Sequence, residues 1–568
     1  KTLSSMVSMS TFSGSPEEKK KMKKPNLVAV VGAGVSGLPC IRHALLHDFT
    51  VTCYERQEFV GGLWRFHPEK TQESTVMKST VTNSSKEMNA YSDFPPPAEE
   101  PNYMYNTRMH AYLENYAKHY RLRDCIRFGF EVINITRTEE HHEDGTWLVT
   151  VKNVQSSAVS STVFDAVFVC IGHLRIPHWP SPWPGQEDFQ GVLTHAHDYR
   201  DYRGYEDKVV VVVGVGSSAL DTAVELSRVA KQVNVVTRRG TYVKSRLSKY
   251  GRPADAERHT RLKEAVYRWT PHCLLARNVK GQYYNYFNHS LYGLKPKHDV
   301  FSSQAATNDE LPARIACGAI LTRPQISRFK GRSVHFVDGT FVDDVDNVIM
   351  GTGYEFDFPL IENGKFIEVS ESGVALYKFI FPTNGPHNTL AIIGLVQNPG
   401  GIPAVAEMQA RVACAAFAGY ARLPSKADMA RIAEAQRISR CKRYIPSLRN
   451  SLQAPYLPLM DEMARIIGCE VPSFFSPLFF DPLLSVHYLC APHAAYFFRL
   501  RGPHAWAGAR EAILGIEDRI AKGTSRGRAT GTVFSFQNSS FLLFAQAVAF
   551  IAFKCTAFII YKLYFIWK

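Results

Sequence analysis

The sequence predicts an α/β protein with two nested domains of strands and helices, followed by a helical C-terminal region. Near its start a buried strand runs into a glycine turn and a helix, and this pattern recurs at mid-chain. Strand-like segments resume after the second copy, and an apolar stretch ends the chain. Because 568 residues are too many for one ordinary hydrophobic core, two or more domains are expected.

The first unit is "LVAVVGAGVSGLPCIRHAL", from Leu27 to Leu45. Its glycines have the spacing of a Rossmann-like dinucleotide-binding turn between a strand and a helix. Gly32 makes the tight turn, Gly34 lets the backbone approach a pyrophosphate, and Gly37 lets the helix pack on the strand. Ser36 lies in the same turn and belongs to the predicted site. The N-terminus of the helix then faces the anion.

An acidic residue follows this turn at the end of the next strand. Glu55 closes the strand "TVTCYE" and stands 18 residues after Gly37. A carboxylate there accepts hydrogen bonds from a ribose diol and would repel a 2′-phosphate. The first site is therefore expected to hold FAD or NAD rather than NADP.

The second unit is "VVVVVGVGSSALDTAVEL", from Val209 to Leu226. Gly214 and Gly216 repeat the first two glycine roles. Ala219 replaces the third glycine, which the fingerprint tolerates at slightly wider spacing between helix and strand.

The strand after the second turn carries a cation where the first unit has its acid. Arg238 stands 19 residues after Ala219, beside Arg239, in "QVNVVTRRG". A guanidinium group suits a 2′-phosphate, so this site is expected to bind NADPH. The alternative is a pair of solvated arginines at a strand end. Two sites with different cofactor preferences imply a flavoprotein whose flavin is reduced by NADPH.

We expect the second domain to be inserted into the first. The segment Ser333–Tyr354 predicts a hairpin and then a strand into a glycine turn, like the strands of the first domain. The predicted division is a disordered lead at 1–25, an FAD domain at 26–185 and 330–450, an NADPH domain at 186–329, and a helical, membrane-proximal region at 451–540.

The apolar end of the chain predicts a membrane anchor at 541–561. "FLLFAQAVAFIAFKCTAFIIY" contains 21 residues with one charge, Lys554. A helix of this length spans about 30 Å, the thickness of a hydrocarbon core. The following "KLYFIWK" supplies aromatic and basic interface anchors. Lys554 leaves open whether the helix spans the membrane or lies partly in its interface.

Composition excludes several other classes of function. The net charge of +14 would suit an anionic partner. No zinc-ligand spacing and no aromatic–basic RNA motif occurs, so neither a nucleic-acid partner nor a metal site is predicted. Eleven cysteines without a CxxC pair fit a reducing compartment.

The segment between the two units carries a family fingerprint. "FQGVLTHAHDY", Phe189–Tyr199, fits the pattern F-x-G-x-x-x-H-x-x-x-Y/F. The motifs "ERQEFVGGLWRF", "TNSSKEM", "YSDFPPP", "YGLKPKH", "GTGYEFDFP" and "LAIIGLVQNPGG" occur around it in order. From about residue 26 to its end, the chain resembles the animal flavin-containing monooxygenases (dimethylaniline monooxygenase, N-oxide-forming).

The resemblance implies a reaction and a location. In that family NADPH reduces FAD, and the reduced flavin and O₂ give a C4a-hydroperoxyflavin. This oxidant oxygenates nitrogen and sulfur in small, xenobiotic-type amines and sulfides, while the protein excludes water. The family also implies the endoplasmic reticulum membrane, with the catalytic domains facing the cytosol and a lipid-embedded C-terminal anchor. A homodimer stays open.

The resemblance also implies site residues. Asn83 matches the family asparagine near flavin and nicotinamide, where an amide donates a hydrogen bond or holds NADP⁺. Thr82 is its neighbour. The matched flavin-site residues are Gly32, Gly34, Gly37, Glu55, Leu63 and Trp64. The matched NADP-contacting residues are Ser218, Ala219, Leu220 and Asp221.

Two further positions in the matched motifs are His195 and Gly351. His195, in the linker between the units, is expected to hydrogen-bond the backbone and set domain geometry, because the mechanism needs no histidine base. "MGTGY" stands where "FATGY" is common, so Gly351 replaces an alanine.

The sequence leaves three alternative functions open. Baeyer–Villiger oxidation of ketones to esters is the first, although its dedicated enzymes usually carry Trp where this chain has Tyr199. The second is an NADPH oxidase that releases H₂O₂. The third is a membrane-attached flavin-binding scaffold without turnover, which intact glycine turns and Asn83 argue against.

Overall fold

The computed structural model describes residues 26–248, 251–421, 423–472 and 480–525. The predicted lead at 1–25 and the predicted anchor at 541–561 lie outside these ranges, as does the end of the membrane-proximal region. Among the described residues no helix has both the length and the apolar character needed to cross a membrane.

Strands and helices alternate along most of the chain. The strands are β1 (Leu27–Val31), β2 (Thr50–Glu55), β3 (Ile126–Phe128), β4 (Phe130–Arg137), β5 (Trp147–Asn153), β6 (Val159–Phe164), β7 (Ala166–Val169), β8 (Ile176–Pro177), β9 (Val192–His195), β10 (Val209–Val213), β11 (Gln232–Val236), β12 (Val243–Lys244), β13 (Ala306–Thr307), β14 (Ile320–Arg323), β15 (Ile326–Lys330), β16 (Ser333–Phe336), β17 (Phe341–Val342), β18 (Asn347–Met350), β19 (Tyr354–Glu355), β20 (Leu376–Tyr377), β21 (Phe381–Pro382) and β22 (Leu390–Ile392). The helices are α1 (Gly37–Leu46), α2 (Lys86–Asn89), α3 (Asn106–His119), α4 (His141–Asp144), α5 (Ser217–Leu226), α6 (Ala254–Arg258), α7 (Arg261–Trp269), α8 (His272–Tyr286), α9 (Leu311–Ala316), α10 (Ile402–Phe417), α11 (Lys426–Arg443), α12 (Leu448–Ser451), α13 (Tyr456–Ile467), α14 (Pro482–Cys490), α15 (Ala509–Leu514) and α16 (Ile516–Ser525).

The first sheet is parallel, with strand order β22-β7-β1-β2-β3. Side chains alternate between its faces, so Val28 and Val30 enter one core while Ala29 and Val31 enter another. A parallel sheet covered on both faces needs such a continuous apolar strand.

Different elements cover the two faces of the first sheet. On one side, Ile41 of α1 and Met408 of α10 belong to the core around Val28. On the other side, Trp147 and Val149 of the antiparallel sheet β4-β5-β6 pack in the core around Val31. The helices therefore flank one face, and the small antiparallel sheet flanks the other.

The second sheet is also parallel, with strand order β14-β11-β10-β18-β9. All five valines of β10 are buried. Val210 and Val212 face the core that includes α5, and Val209, Val211 and Val213 face the opposite core.

One expectation about the chain path is wrong. The strand in Ser333–Tyr354 was expected in the first domain, but β18 lies in the second sheet, where Asn347 pairs with Val210 and Val192. The hairpin β16-β17 packs on the same domain, in the core around Val209. The chain re-enters the first sheet only at β22. A short apolar strand carries no local mark of its partner, so long-range pairing made this choice.

A buried arginine joins the C-terminal region to the first domain. Arg499 is 1% exposed. Its Nε donates to Ser92 Oγ at 2.7 Å, and its Nη1 donates to the His504 carbonyl at 2.6 Å. Its Nη2 pairs with the Asp93 carboxylate at 2.5 Å. The contacts with Ser92 and Asp93 link segments far apart in sequence, so Arg499 fixes how this region docks.

Arg499→Met should lower the free energy of unfolding by about 3–5 kcal/mol, because it leaves the Asp93 carboxylate buried without its closest cation. The midpoint of thermal unfolding of the FAD-loaded protein measures this loss. Arg277→Met, at an exposed position of α8, is the matched control and should leave the midpoint nearly unchanged. Equal midpoints for both variants would refute the docking role.

Candidate functional site

A cavity of about 790 Å³ is lined by both glycine turns. It is bordered by the carboxyl ends of β1 and β2 from the first sheet and by the start of α5 from the second domain. Ligands of open α/β sheets bind outside the carboxyl ends of the strands. The predicted residues that line it are Gly32, Gly34, Ser36, Glu55, Leu63, Trp64, Thr82, Asn83, Gly216, Ser218 and Ala219.

The three glycines of the first turn differ in what surrounds them. Gly32 has a φ of +96°, which favours glycine, and a Cβ at Gly37 would lie 1.8 Å from the Gly32 carbonyl oxygen. The nearest atom to a Cβ at Gly34 is the Gly62 Cα, at 3.6 Å. The turn thus needs Gly32 and Gly37 for its own packing, and Gly34 leaves backbone open to a ligand.

Glu55 is held by backbone donors at the edge of the cavity. Its Oε2 accepts from the Ala33 N–H at 2.7 Å, and its Oε1 accepts from the Gln57 N–H at 2.9 Å. Burial raises the pKa of this carboxyl, and the two N–H groups oppose that shift. A carboxylate has about four acceptor positions, so capacity for a ribose diol remains.

The second turn is shaped for an anion. Gly214 has a φ of +118°, and a Cβ there would lie 2.3 Å from the Gly351 carbonyl oxygen. Gly216 caps α5 and has open space around its Cα. The N–H groups of Ser217 and Ser218 in the first turn of α5 have no intrahelical acceptor. With the helix dipole, they form a ready site for a phosphate.

Ala219 and Gly351 are in direct contact. A Cβ built on Gly351 would lie 2.5 Å from the Ala219 Cβ, closer than two carbon atoms approach. The alanine in place of the third glycine and the glycine in place of the usual alanine of "FATGY" therefore compensate each other. The methyl group is therefore on the helix in this chain, not at the end of the strand, and the helix still packs closely on the sheet.

Some predicted NADP-binding residues lie outside the cavity lining. Leu220 is fully buried in the core between α5 and the second sheet. Asp221 Oδ1 accepts from Asn308 Nδ2 at 2.7 Å, and burial raises its pKa to about 6. Arg238 is exposed just after β11, and its guanidinium has no hydrogen bond or ion pair within the described part of the chain.

The loop of Thr82 and Asn83 is clamped by an arginine that the sequence analysis missed. Asn83 Oδ1 accepts from Arg246 Nη2 at 2.8 Å, and the Thr82 carbonyl accepts from Arg246 Nε at 3.1 Å. Arg246 Nη1 also pairs with Asp309 at 2.7 Å. Because the Asn83 oxygen is engaged, its Nδ2 is the group left to donate into the cavity.

His195 lines the cavity, and its ring contacts neighbouring segments. Its Nδ1 accepts from the His197 N–H at 3.0 Å, and its ring stands 5.5 Å from the Tyr354 ring. Burial lowers its pKa to about 4, so the imidazole is neutral at pH 7. These contacts fit a residue that positions the backbone.

Several polar residues to which the matched motifs assign no role also line the cavity. Among them are Lys244, Gln304, Asn398 and Arg449. They come from separate segments, so only folding brings them together. Lys244 and Arg246 stand two residues apart around β12, and this spacing is a local signal for two of the missed residues.

Comparison with known proteins settles the family. A family model described as "Flavin-binding monooxygenase-like" matches residues 23–561. The chain belongs to this family. It is 38% identical over 499 residues to human flavin-containing monooxygenase 5, covering 87% of this chain and 92% of that protein. It is 38% identical over 498 residues to "Dimethylaniline monooxygenase [N-oxide-forming] 2" of Macaca mulatta, with the same coverage.

Solved structures share the fold at lower identity. S-allyl-L-cysteine S-oxygenase from Allium sativum superposes with a TM-score of 0.60 at 22% identity, over 86% of this chain and 99% of that one. A steroid monooxygenase bound to NADP gives 0.55 at 18% identity, over 78% and 97%. Both predicted cofactors are confirmed: the protein is an NADPH-dependent flavin monooxygenase that uses FAD, O₂ and a small-molecule substrate.

Gly351→Ala should lower the free energy of unfolding by about 1–3 kcal/mol, because its Cβ overlaps the Ala219 methyl. Adding Ala219→Gly removes the overlapping atom and should recover most of that loss. Thermal midpoints of the two single variants, the double variant and the parent chain measure the coupling. Additive effects would show that the two substitutions do not compensate each other.

Proposed function

We propose that this flavin monooxygenase oxygenates the nitrogen of small amines and the sulfur of small thioethers. One observation carries the proposal: a single cavity joins both glycine turns and also exposes Asn83. In the proposed reaction, a thioether, O₂, NADPH and one proton give a sulfoxide, NADP⁺ and water. One oxygen atom forms the new S–O bond, and the other leaves as water.

The first turn is proposed to hold FAD. The N-terminus of α1 and the open backbone at Gly34 fit a pyrophosphate, and Glu55 fits the ribose diol. Leu63 and Trp64 lie in the turn Gly62–Trp64, which approaches Gly34. The bound flavin supplies the activation of O₂, and the residues around it orient the flavin and exclude water.

The second turn is proposed to hold NADPH. Gly216, Ser217 and Ser218 offer backbone N–H groups to the pyrophosphate. Arg238 is exposed and has no partner among the residues that the structure describes, so it is available for the 2′-phosphate. Asn83 lines the cavity that both turns share, so its Nδ2 is proposed to hydrogen-bond the reacting groups.

Product analysis tests the proposed reaction. The FAD-loaded enzyme receives NADPH with a tertiary amine, a thioether or an aliphatic ketone, and the products are identified by mass spectrometry. We expect N-oxide and sulfoxide, with less H₂O₂ than NADPH consumed. Ester from the ketone without N- or S-oxide would establish Baeyer–Villiger oxidation instead. Peroxide equal to NADPH under every condition would establish an oxidase.

Asn83→Asp should separate cofactor binding from oxygen transfer. The carboxylate still accepts from Arg246, but it no longer donates into the cavity. We expect normal FAD content, at least about a tenfold drop in sulfoxide yield per NADPH, and a matching rise in H₂O₂. An unchanged yield would show that the Asn83 amide does not assist the reaction.

Arg238→Ala should lower kcat/KM for NADPH by about tenfold or more, through loss of the charge-assisted contact with the 2′-phosphate. The value for NADH, which lacks that phosphate, should change little. Initial rates with each reductant provide the comparison, and NADH is the internal control. Equal losses for both would refute the assignment of Arg238.

We also propose that the protein is attached to the endoplasmic reticulum membrane by a lipid anchor at 541–561. Removing residues 541–568 should move most of the protein into the soluble fraction, because about 30 Å of apolar helix is lost. Immunoblots of membrane and supernatant after carbonate washing measure the shift. Retention in the membrane would point to a second attachment.

The homodimer stays a prediction. Light scattering of the detergent-solubilised protein measures the oligomeric state.

A further inference from the structure

One wall of the cavity is rich in hydrogen-bond donors. Lys244, Gln304, Asn398 and Arg449 line it, from segments around β12, β13, α10 and α12. None of them has a role predicted from the sequence motifs. Their contacts with one another and with the surrounding protein indicate what they are able to bind.

The Lys244 ammonium group has no direct partner in the described part of the chain. Its Nζ has no hydrogen bond or ion pair among the described residues, although Lys244 is partly buried. Burial lowers its pKa to about 7, and the positive charges of Arg258, Arg246 and Arg449 add to the effect. A bound anion would stabilise the charged form of this amine.

The carboxylate that influences Lys244 is already engaged elsewhere. Asp255 opposes the pKa shift of Lys244. However, its Oδ2 accepts from the Ser85 N–H at 2.6 Å, and its Oδ1 accepts from the Ala256 N–H at 2.9 Å. Asp255 does not line the cavity and forms no ion pair with Lys244, so the Lys244 Nζ is left for a ligand.

The neighbouring amides also present donors. Gln304 Oε1 accepts from Gln397 Nε2 at 3.0 Å and from Arg449 Nη2 at 3.1 Å, so its own Nε2 is left to donate. Asn398 is 2% exposed, and neither its Nδ2 nor its Oδ1 has a partner within the described residues. A buried amide without partners at a cavity wall needs a ligand or a water molecule.

From these contacts we propose that this wall binds the carboxylate of the substrate, with Lys244 as its anchor. The inference rests on the proposed function and narrows it to soft nucleophiles that carry an acid group, such as thioether carboxylates. The phosphates of NADPH have separate proposed partners, namely the N-terminus of α5 and Arg238. A carboxylate substrate therefore meets donors that the cofactor does not require.

A pair of thioethers tests the anchor. (Methylthio)acetate and its methyl ester contain the same sulfur and differ in charge. Sulfoxide formation by the full-length, FAD-loaded enzyme gives kcat/KM for each, together with KM for NADPH. Lys244→Met should lower the acid-to-ester ratio of kcat/KM about tenfold to a hundredfold, the range for a hydrogen bond between charged groups. KM for NADPH should change less than about twofold.

Two control variants sharpen the result. Lys244→Arg keeps a cation and should retain most of the preference for the acid. Lys231→Met removes an exposed charge that is not part of the cavity lining and should leave the ratio unchanged. An unchanged ratio in Lys244→Met, equal losses for both thioethers, or a rise in KM for NADPH alone would each overturn the proposal.

A failure of the proposed reaction can be told apart from a failure of the carboxylate site. If the parent enzyme forms no sulfoxide from either thioether, the proposed reaction is wrong. Calorimetric titration of (methylthio)acetate into the oxidised, NADP⁺-loaded enzyme then decides about the anchor. At least about tenfold weaker binding to Lys244→Met than to the parent supports it, and equal or undetectable binding to both overturns it.

Discussion

The site depends on one guanidinium group that connects the two domains. Arg246 belongs to the second domain, next to β12, yet it donates to the Thr82 carbonyl and to Asn83 Oδ1 in a loop of the first. Its pair with Asp309 fixes its own position. Because its side chain is only 12% exposed, water does not compete strongly for these bonds. The contact therefore fixes the orientation of Asn83 and connects its loop to the second domain.

Close packing imposes a second constraint at each turn. In the first turn, Gly37 must lack a side chain because the Gly32 carbonyl occupies that space. In the second, a methyl group is accommodated at Ala219 because its neighbour Gly351 has none. Each turn thus makes room for its helix in a different way, and residues at the N-terminus of each helix line the cavity.

Buried charges hold the remaining parts around this centre. Arg499 pairs with Asp93, and Glu407 accepts from the Ser92 N–H and Oγ on the same segment. A second buried pair, Arg519 with Glu87, attaches α16 to α2. Since α2 follows the Asn83 loop directly, the C-terminal region supports the loop from behind. Unpaired, each of these charges would be costly in the interior.

The sequence by itself determined the two glycine turns and predicted a different cofactor for each. Those signals are local. Glycine is required where φ is positive or where the backbone packs closely. A charged residue at a set number of positions after the turn indicates whether the ribose carries a free diol or a 2′-phosphate. The tertiary structure alone decided that β18 joins the second sheet. It also decided that Arg246 clamps Asn83, and that Lys244, Gln304, Asn398 and Arg449 meet at one wall. Such contacts join residues far apart in the chain, and an isolated polar side chain or a short apolar strand carries no record of its partner.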